Sequence, residues 1–344
     1  MSISHDWEKP TSRSHSASSS SNLCCVDALA TDLSLDFVLK TLRDDVVTSE
    51  FNVDRRDRLE PDEFSQTYVR QGRPVLLRRV LQGCTALSRW TFDFLRTHVG
   101  CKLVPLKEWG PSGIQTVSRR FDTYIDNIKL FEWQLRSGEA SEEQKPAYLH
   151  DLPLTSILPD AKSDLENFPS DYFPAWYGAE WWQFAQIFIG PIHSITPLHF
   201  DCLLTHNLFF QIKGRKRFIL IAAKDLKYCY PHHWRWCDVD VEAPDYEHHP
   251  LYRKAKPTAI IVEPGDGLYL PPGTLHHVRS LDCALSFNVD WHTRGSALKG
   301  VLGCLRGMPW INVYYNTVVA LGLCGGISQK RIFPYYRSYL NYVS

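Results

Sequence analysis

In the run SITPLHFDCLLTHNLFFQIKGRKRFILI, residues 194–221, His199 and Asp201 stand two positions apart within an otherwise apolar, strand-like stretch. Successive side chains of a strand alternate between its faces, so His199 and Asp201 project together while Phe200 packs the other way. A buried carboxylate without a partner is costly, and such groups are normally paired or bound to a metal. One imidazole and one carboxylate on a single face make two legs of a metal site, with the third to come from elsewhere in the chain. A satisfied hydrogen bond within the core is the other reading of the same pair.

The rest of the chain limits what that site can belong to. Its 344 residues leave room for one large domain or two ordinary ones. With 44% hydrophobic and 22% charged residues, and 11 Trp, 16 Tyr and 17 Phe, the composition is globular. Lys plus Arg equals Asp plus Glu at 38 each, so no net field favours nucleic acid or an anionic membrane as partner. A local basic patch stays open. The ten cysteines include one adjacent pair, Cys24 and Cys25, and no C-x-x-C, which speaks against a zinc ribbon or a secreted disulfide framework. Reduced thiols and a first segment without the apolar core of a signal peptide predict a cytoplasmic location, the nucleus remaining open. The Ser-rich polarity of residues 1–33 predicts a disordered lead-in. The most apolar stretch, WINVYYNTVVALGLCGGI at 310–327, carries Asn312, Asn316 and several glycines. It falls short of the roughly 20 mainly apolar residues a membrane helix wants. A buried or dimer-forming helix is expected there instead.

Residues 34–181 read as a helix-rich part that packs on the core. LSLDFVLKTLRD (33–44), RWTFDFLRTHVG (89–100) and FDTYIDNIKLFEWQLRSG (121–138) carry helical spacing, the last two with glycine stops at Gly100 and Gly138. GRPVLLRRV (72–80) reads as a strand after a turn, and PAYLHDLPL and NFPSDYFPAWYG as loops with aromatic anchors. From Trp182 the texture changes. QFAQIFIG, NLFFQIKG, KRFILIAA, TAIIVEPGDGLYLPPG, LHHVRSL and CALSFNVDW are short β runs between Gly and Pro, the mark of an antiparallel sandwich or barrel over 182–295. The long aromatic loop from Tyr228 to Pro257 has the size of a functional lid. Residues 296–344 read as helical, a candidate homodimer surface.

The order H-x-D, a β-rich interval, then G-D-x-L-Y-L-P-x-G-x-x-H resembles the JmjC/cupin-like 2-oxoglutarate oxygenases. Its nearest kin by motif are the protein hydroxylases typified by the asparaginyl hydroxylase of hypoxia-inducible factor. The resemblance extends upstream through EFSQTYVRQGRPVLLRRV and YLHD, covering roughly residues 60–291. It implies a mainly β fold with flanking helices, built on a double-stranded β-helix (jelly-roll) core. His199, Asp201 and His276 match the family's iron ligands, and two imidazoles plus a carboxylate with open positions suit non-haem Fe(II). His277 would face the other side of its strand. Within KGRKRF, Lys216 shares a face with Phe218 and Leu220 while Arg215 and Arg217 face away. Lys216 also matches the lysine that pairs with the far carboxylate of 2-oxoglutarate. Thr196 and Tyr148 match hydroxyl donors to that carboxylate, and Asn207 and Asn288 match positions lining the cosubstrate pocket.

One departure stands out: two extra residues separate Asp201 from the His206–Asn207 pair, implying a bulge or altered loop beside the iron. The alternative readings are a plain surface lysine for Lys216, packing alone for Tyr148 and structural hydrogen bonding for each asparagine, the last as good an account as the functional one. The pairs His232–His233 and His248–His249 read as solvated or packed loop histidines. The Trp176, Trp181–Trp182 and Trp234–Trp236 clusters read as core or rim, the last able to cap a substrate cleft. The resemblance implies Fe(II), 2-oxoglutarate as cosubstrate and dioxygen, with a hydroxylated C–H bond as product. A protein or peptide side chain leads as substrate, followed by a small molecule of a biosynthetic pathway. N-methyl-lysine demethylation and a non-catalytic cupin-like binding protein complete the alternatives. Neither nucleic acid nor membrane is an expected partner.

Overall fold

The structure, a computed structural model, describes residues 52–57, 59–110 and 113–341. The Ser-rich segment 1–33 and the first expected helix, 33–44, lie outside the described residues. In chain order the strands are β1 (Asp54–Arg56), β2 (Val75–Leu77), β3 (Leu103–Gly110), β4 (Gly113–Arg120), β5 (Leu149–Pro153), β6 (Ala185–Gly190), β7 (Ile195–His199) and β8 (His206–Lys213). They continue with β9 (Lys216–Ile221), β10 (Pro231–His232), β11 (Trp236–Cys237), β12 (Thr258–Val262), β13 (Gly267–Leu270), β14 (Leu275–Ser280) and β15 (Ala284–Trp291).

These strands form a seven-stranded sheet in the order β1-β2-β13-β8-β15-β6-β5 and a six-stranded sheet in the order β10-β11-β7-β14-β9-β12. From β6 to β9 consecutive strands alternate between the two sheets, and β12 to β15 do so again. That alternation is the winding of a jelly roll, the double-stranded β-helix expected from the sequence. Phe209 of β8 meets Phe218 of β9 edge-on across the interior, ring centroids 4.9 Å apart. Gly214 turns β8 into β9 with φ +67°, and a Cβ there would sit 2.2 Å from the Cys283 carbonyl oxygen. No other residue fits that turn.

The chemistry of the fold is written in the alternation of its two central strands. Leu208, Phe210 and Ile212 of β8, with Leu285, Phe287, Val289 and Trp291 of β15, join the large core beneath the helices. Each such buried side chain contributes about 1.5–3 kcal/mol. Their neighbours Asn207, Asn288 and Asp290 project the other way, into a cavity between the sheets.

Helix α1 (Phe92–Val99) starts at Thr91, whose Oγ1 accepts from the Phe94 amide at 3.0 Å, and stops at Gly100. Helix α2 (Phe121–Ser137) buries Phe121, Tyr124, Ile125, Ile128 and Phe131 and ends on left-handed Gly138. Both stops fall where the spacing placed them. The tail is helical as expected: α3 (Arg294–Val301), α4 (Trp310–Gly325) and α5 (Gln329–Tyr336). Asn316 is buried in α4, its Nδ2 donating to the Asn312 carbonyl at 3.0 Å. Leu298 on α3, Leu305 in the turn between α3 and α4, and Trp310 and Leu321 on α4 are exposed. Among the described residues no helix is long and apolar enough to cross a membrane.

Three local readings need correction. Residues 103–120, taken as part of a mainly helical region, form the β3–β4 hairpin, and PAYLHDLPL, read as a loop, contains edge strand β5. β4 exposes nearly every side chain, so it shows no buried face to read. β5 is interrupted by a register shift between Leu149 and Leu152. The hairpin joins β5 through paired backbone bonds between Lys107 and Tyr148, 2.7 and 2.9 Å. The 228–257 loop is tied down instead of standing free as a lid. Its β11 pairs with β7, and Glu242 accepts from Arg279 at 2.5–2.9 Å and from Arg217 on the outer face of the six-stranded sheet.

Candidate active site

Strand pairing builds the metal corner. β7 and β14 run antiparallel with His199 directly opposite His276, which places the imidazole centroids 4.2 Å apart. Asp201 follows β7 by two residues, and its Oδ1 lies 3.7 Å from His276 Nε2. One ligand atom from each of the three residues lies within 4.8 Å of the others, the one such group of three or more among the described residues.

The second nitrogen of each ring fixes its tautomer. His199 Nδ1 lies 2.8 Å from the Pro197 carbonyl oxygen and His276 Nδ1 3.1 Å from that of Thr274. A carbonyl only accepts, so Nδ1 carries the proton and both Nε2 lone pairs are left for a metal. Burial, with His276 beside it, holds His199 well below the usual imidazole range, in its neutral ligand form. Asn207 Nδ2 donates to Asp201 Oδ2 at 3.1 Å and so orients the carboxylate. Asn207 lines the cavity, where a cosubstrate-lining position was expected, and in addition holds the Asp201 carboxylate. The two extra residues are absorbed in a turn at 201–204, closed by the Leu204 amide on the Asp201 carbonyl at 2.9 Å, with Leu204 at φ +57°.

Lys216 opens β9 and points into the same cavity, 1% exposed. Its Nζ donates to Tyr148 Oη and Ser286 Oγ, each at 2.8 Å, and lies 5.1–5.4 Å from the ring centroids of Tyr148, Phe188 and Phe209. The Asp151 carboxylate acts on it by charge alone, without an ion-pair contact. Burial pulls its pKa down to about 7. Tyr148 is kept protonated by burial, well above the usual phenol value, so its hydroxyl can accept from Lys216 and still donate. Gly190 makes room for that ring: a Cβ at 190 would lie 2.7 Å from it. Thr196 Oγ1 lies 3.2 Å from His150 Nε2. Asn288 Nδ2 donates to Asp290 Oδ1 at 3.3 Å.

The structure therefore brings all eight residues singled out from the sequence, His199, Asp201, His276, Lys216, Thr196, Tyr148, Asn207 and Asn288, to the wall of one cavity of about 70 Å³. Buried polar atoms in that wall have no hydrogen-bond partner among the described residues: Asn207 Oδ1, Asn288 Oδ1, Trp109 Nε1 and His150 Nδ1. Two imidazoles, a carboxylate, an uncompensated lysine and these atoms suit a divalent metal with a dicarboxylate beside it.

The wall also holds residues that sequence reasoning passed over. Lys107 and Trp109 come from the hairpin, His150 and Asp151 from β5, Arg235 from the long loop, Asp290 from β15 and Tyr339 from the C-terminal turn. Ser286 and Asp290 had a signal, since they alternate with Asn288 in SFNVDW. Burial, and after it the charges of Asp201 and Asp151, raise the Asp290 carboxyl well above the usual range. His277 faces outward, Nδ1 4.0 Å from Glu242. His232 and His248 pair within the loop, each Nδ1 2.6 Å from Asp238 and Asp245 respectively. Of the tryptophan clusters, Trp236 reaches the cavity, 5.0 Å from the His199 ring, whereas Trp234 Nε1 donates to the Cys202 carbonyl at 2.9 Å.

Comparison with known proteins gives this architecture a family. Residues 61–297 match the cupin-like domain, and the chain belongs to that family. It is similar to Jumonji C domain-containing protein 5 of Drosophila melanogaster, 28% identical over 256 residues, 71% of this chain and 61% of that protein. Lysine-specific demethylase 8 of Danio rerio is 28% identical over 244 residues, 67% of this chain and 56% of that protein. tRNA wybutosine-synthesizing protein 5 of Homo sapiens is 26% identical over 252 residues, 70% of this chain and 77% of that protein. The chain thus spans about three-fifths of the length of the first two relatives.

Proposed function

We propose that this protein is an Fe(II)- and 2-oxoglutarate-dependent dioxygenase that hydroxylates a C–H bond of a protein or peptide side chain. The observation that carries this reading is the meeting, in one cavity, of the His199–Asp201–His276 set with a buried Lys216 that has hydroxyl partners but no carboxylate. Burying a lone cation costs several kcal/mol. A ligand carboxylate removes that cost, whereas a purely structural lysine would bring its own acid.

When bound, the iron with 2-oxoglutarate and dioxygen supplies the oxidising chemistry, the keto acid leaving as succinate and CO2. The chain's own share is positioning. His199, Asp201 and His276 would hold the metal, a three-residue set that suits a metal to which further ligands bind. Lys216 and Tyr148 grip the far carboxylate. Asn207 keeps the Asp201 carboxylate turned toward the metal corner. The aromatic rings of Phe188, Phe209 and Phe218 in the wall exclude water from the reacting atoms.

Relatives carry the names lysine-specific demethylase and tRNA wybutosine-synthesizing protein, so demethylation and oxidation of a nucleoside or other small molecule are the competing substrate classes. The reading predicts succinate formed from 2-oxoglutarate in an Fe(II)- and O2-dependent manner, stimulated by a peptide substrate and lost in His199→Ala. Stimulation by a nucleoside or small metabolite in place of peptides would move the assignment to the small-molecule class. Formaldehyde released from a methyl-lysine peptide would move it to demethylation. Iron-independent binding with no succinate under any condition would leave a cupin-like binding protein.

A further inference from the structure

A second hollow lies back to back with the metal corner and shares no residue with the cosubstrate cavity. The chain alternates between the two. Asn207 lines the metal side while His206 lines this one, and Leu270 lines the first cavity while Pro271 and Pro272 line the second. Leu204, whose amide closes the turn after Asp201, and Thr274, whose carbonyl accepts from His276 Nδ1, also stand in its wall. Its volume is about 430 Å³, room for a small organic molecule.

The charge in this wall has one sign. Arg70, Lys224, Lys299 and Arg306 line it, and no Asp or Glu does among the described residues. Arg70 ends the helical turn Phe64–Val69, Lys224 follows β9, and the other two come from α3 and the turn behind it. Lys224 and Lys299 are half-buried and Arg306 is 9% exposed, so salt screens this cluster less than it would an open surface. Two of the four stand without an acidic partner among the described residues: Arg70 Nη1 donates to the neutral Gln66 Oε1 at 3.3 Å, and Lys224 enters no ion pair. The first turn of α3, through Gly295 and Ser296, adds the positive end of a helix dipole. Buried Thr274 and half-buried Thr293 bring hydroxyls. Val69, Leu204, Ala222, Pro271 and Pro272 make an apolar remainder.

We propose that this hollow binds a small organic phosphate, its phosphate group taken by Arg70, Lys224 and the start of α3 and its body laid on the apolar wall. A guanidinium, an ammonium and a helix N-terminus are donors that a phosphate dianion, with three acceptor oxygens, satisfies together. Free phosphate would use the cations alone; the volume and the apolar residues fit an ester. The site stands apart from the oxygenase reading, since neither the metal triad nor Lys216 takes part in it.

The test is calorimetric. Phenyl phosphate, titrated into the wild-type protein at about 0.15 M salt, should bind once per chain with a Kd below about 1 mM. Inorganic phosphate should bind at least about tenfold more weakly, for want of the buried ring. Arg70→Gln combined with Lys224→Gln should weaken phenyl phosphate by about 20-fold, with the thermal midpoint and Mn(II) affinity unchanged. Lys216→Met should bind it as the wild type does, which separates this hollow from the cosubstrate cavity. If the double variant melts early, each single variant should still lose about fivefold. No saturable binding, binding undiminished in the variants, or binding lost in Lys216→Met and kept in the double variant would overturn the proposal. Inorganic phosphate held as tightly as its phenyl ester would overturn the assignment to an organic phosphate. Heparin as the one anion bound would overturn it too, reducing the cluster to surface charge.

Discussion

Two lysines line the same cavity under different regimes. Lys107, on the β3–β4 hairpin, has Asp151 at 3.2 Å. Lys216, on the six-stranded sheet, has two hydroxyls and three aromatic rings around it. Lys107 has a carboxylate in contact, whereas Lys216 has none at ion-pair distance and feels the Asp151 charge only from farther off. A buried pair that satisfies itself serves the fold. A buried cation without an acid destabilises the empty protein and is retained for what binds it. On the proposed reading, the difference between the two walls marks where a dicarboxylate would end and where the protein's own scaffolding begins.

Exchanging each lysine for methionine should separate the two roles most sharply. Lys216→Met should raise the unfolding free energy by about 1–2 kcal/mol, because a desolvated lone charge is removed, and weaken 2-oxoglutarate by about 100-fold. Lys107→Met should do the reverse, costing about 2–3 kcal/mol because Asp151 is left beside His150 without its cation. Urea titrations and ligand binding on both variants read this out. Equal losses of stability in the two would dissolve the distinction.

A smaller effect comes from pH. Burial lowers Lys216 from 10.5 to about 7, so between those values the unfolded chain binds more protons at this group than the folded one. Stability therefore rises with pH across that window, and the increment is lost as pH falls from about 10.5 to about 7. The urea midpoint of the wild-type protein should climb between pH 7 and 9 relative to that of Lys216→Met, by about 2 kcal/mol in free-energy terms. Affinity for 2-oxoglutarate should move the opposite way, falling over the same range, since the grip needs the charged lysine. Parallel pH profiles for the two proteins would place the titration elsewhere.

How much of this was legible in the sequence depends on whether a residue's neighbours share its fate. His199 and Lys216 sit in strands β7 and β9, whose alternation of buried and half-buried positions assigns a face to each side chain, while Asp201 stands just past the end of β7, and the β runs from Gln183 to Trp291 all contain strands. Antiparallel register then brought His276 opposite His199, a long-range fact that only the motif order hinted at. The hairpin wall was illegible for the complementary reason. Gly113–Arg120 is a ribbon exposed along most of its length, and Leu149–Pro153 is an irregular edge strand, so neither shows a periodic apolar face. Lys107, His150 and Asp151 look like ordinary polar residues until pairing with one another turns them inward. Tyr339 is further still: it reaches the cavity only because the C-terminal helices fold back over the core.

The measurement that bears most directly on the central claim is optical. Fe(II) followed by 2-oxoglutarate, added without oxygen, should produce the weak visible charge-transfer band of an iron–keto acid chelate, saturating at one iron per chain. His276→Ala should abolish the band, and Lys216→Met should preserve iron binding while shifting the 2-oxoglutarate midpoint upward. A wild-type protein that gives no band, or a band that survives His276→Ala, would contradict the shared metal site.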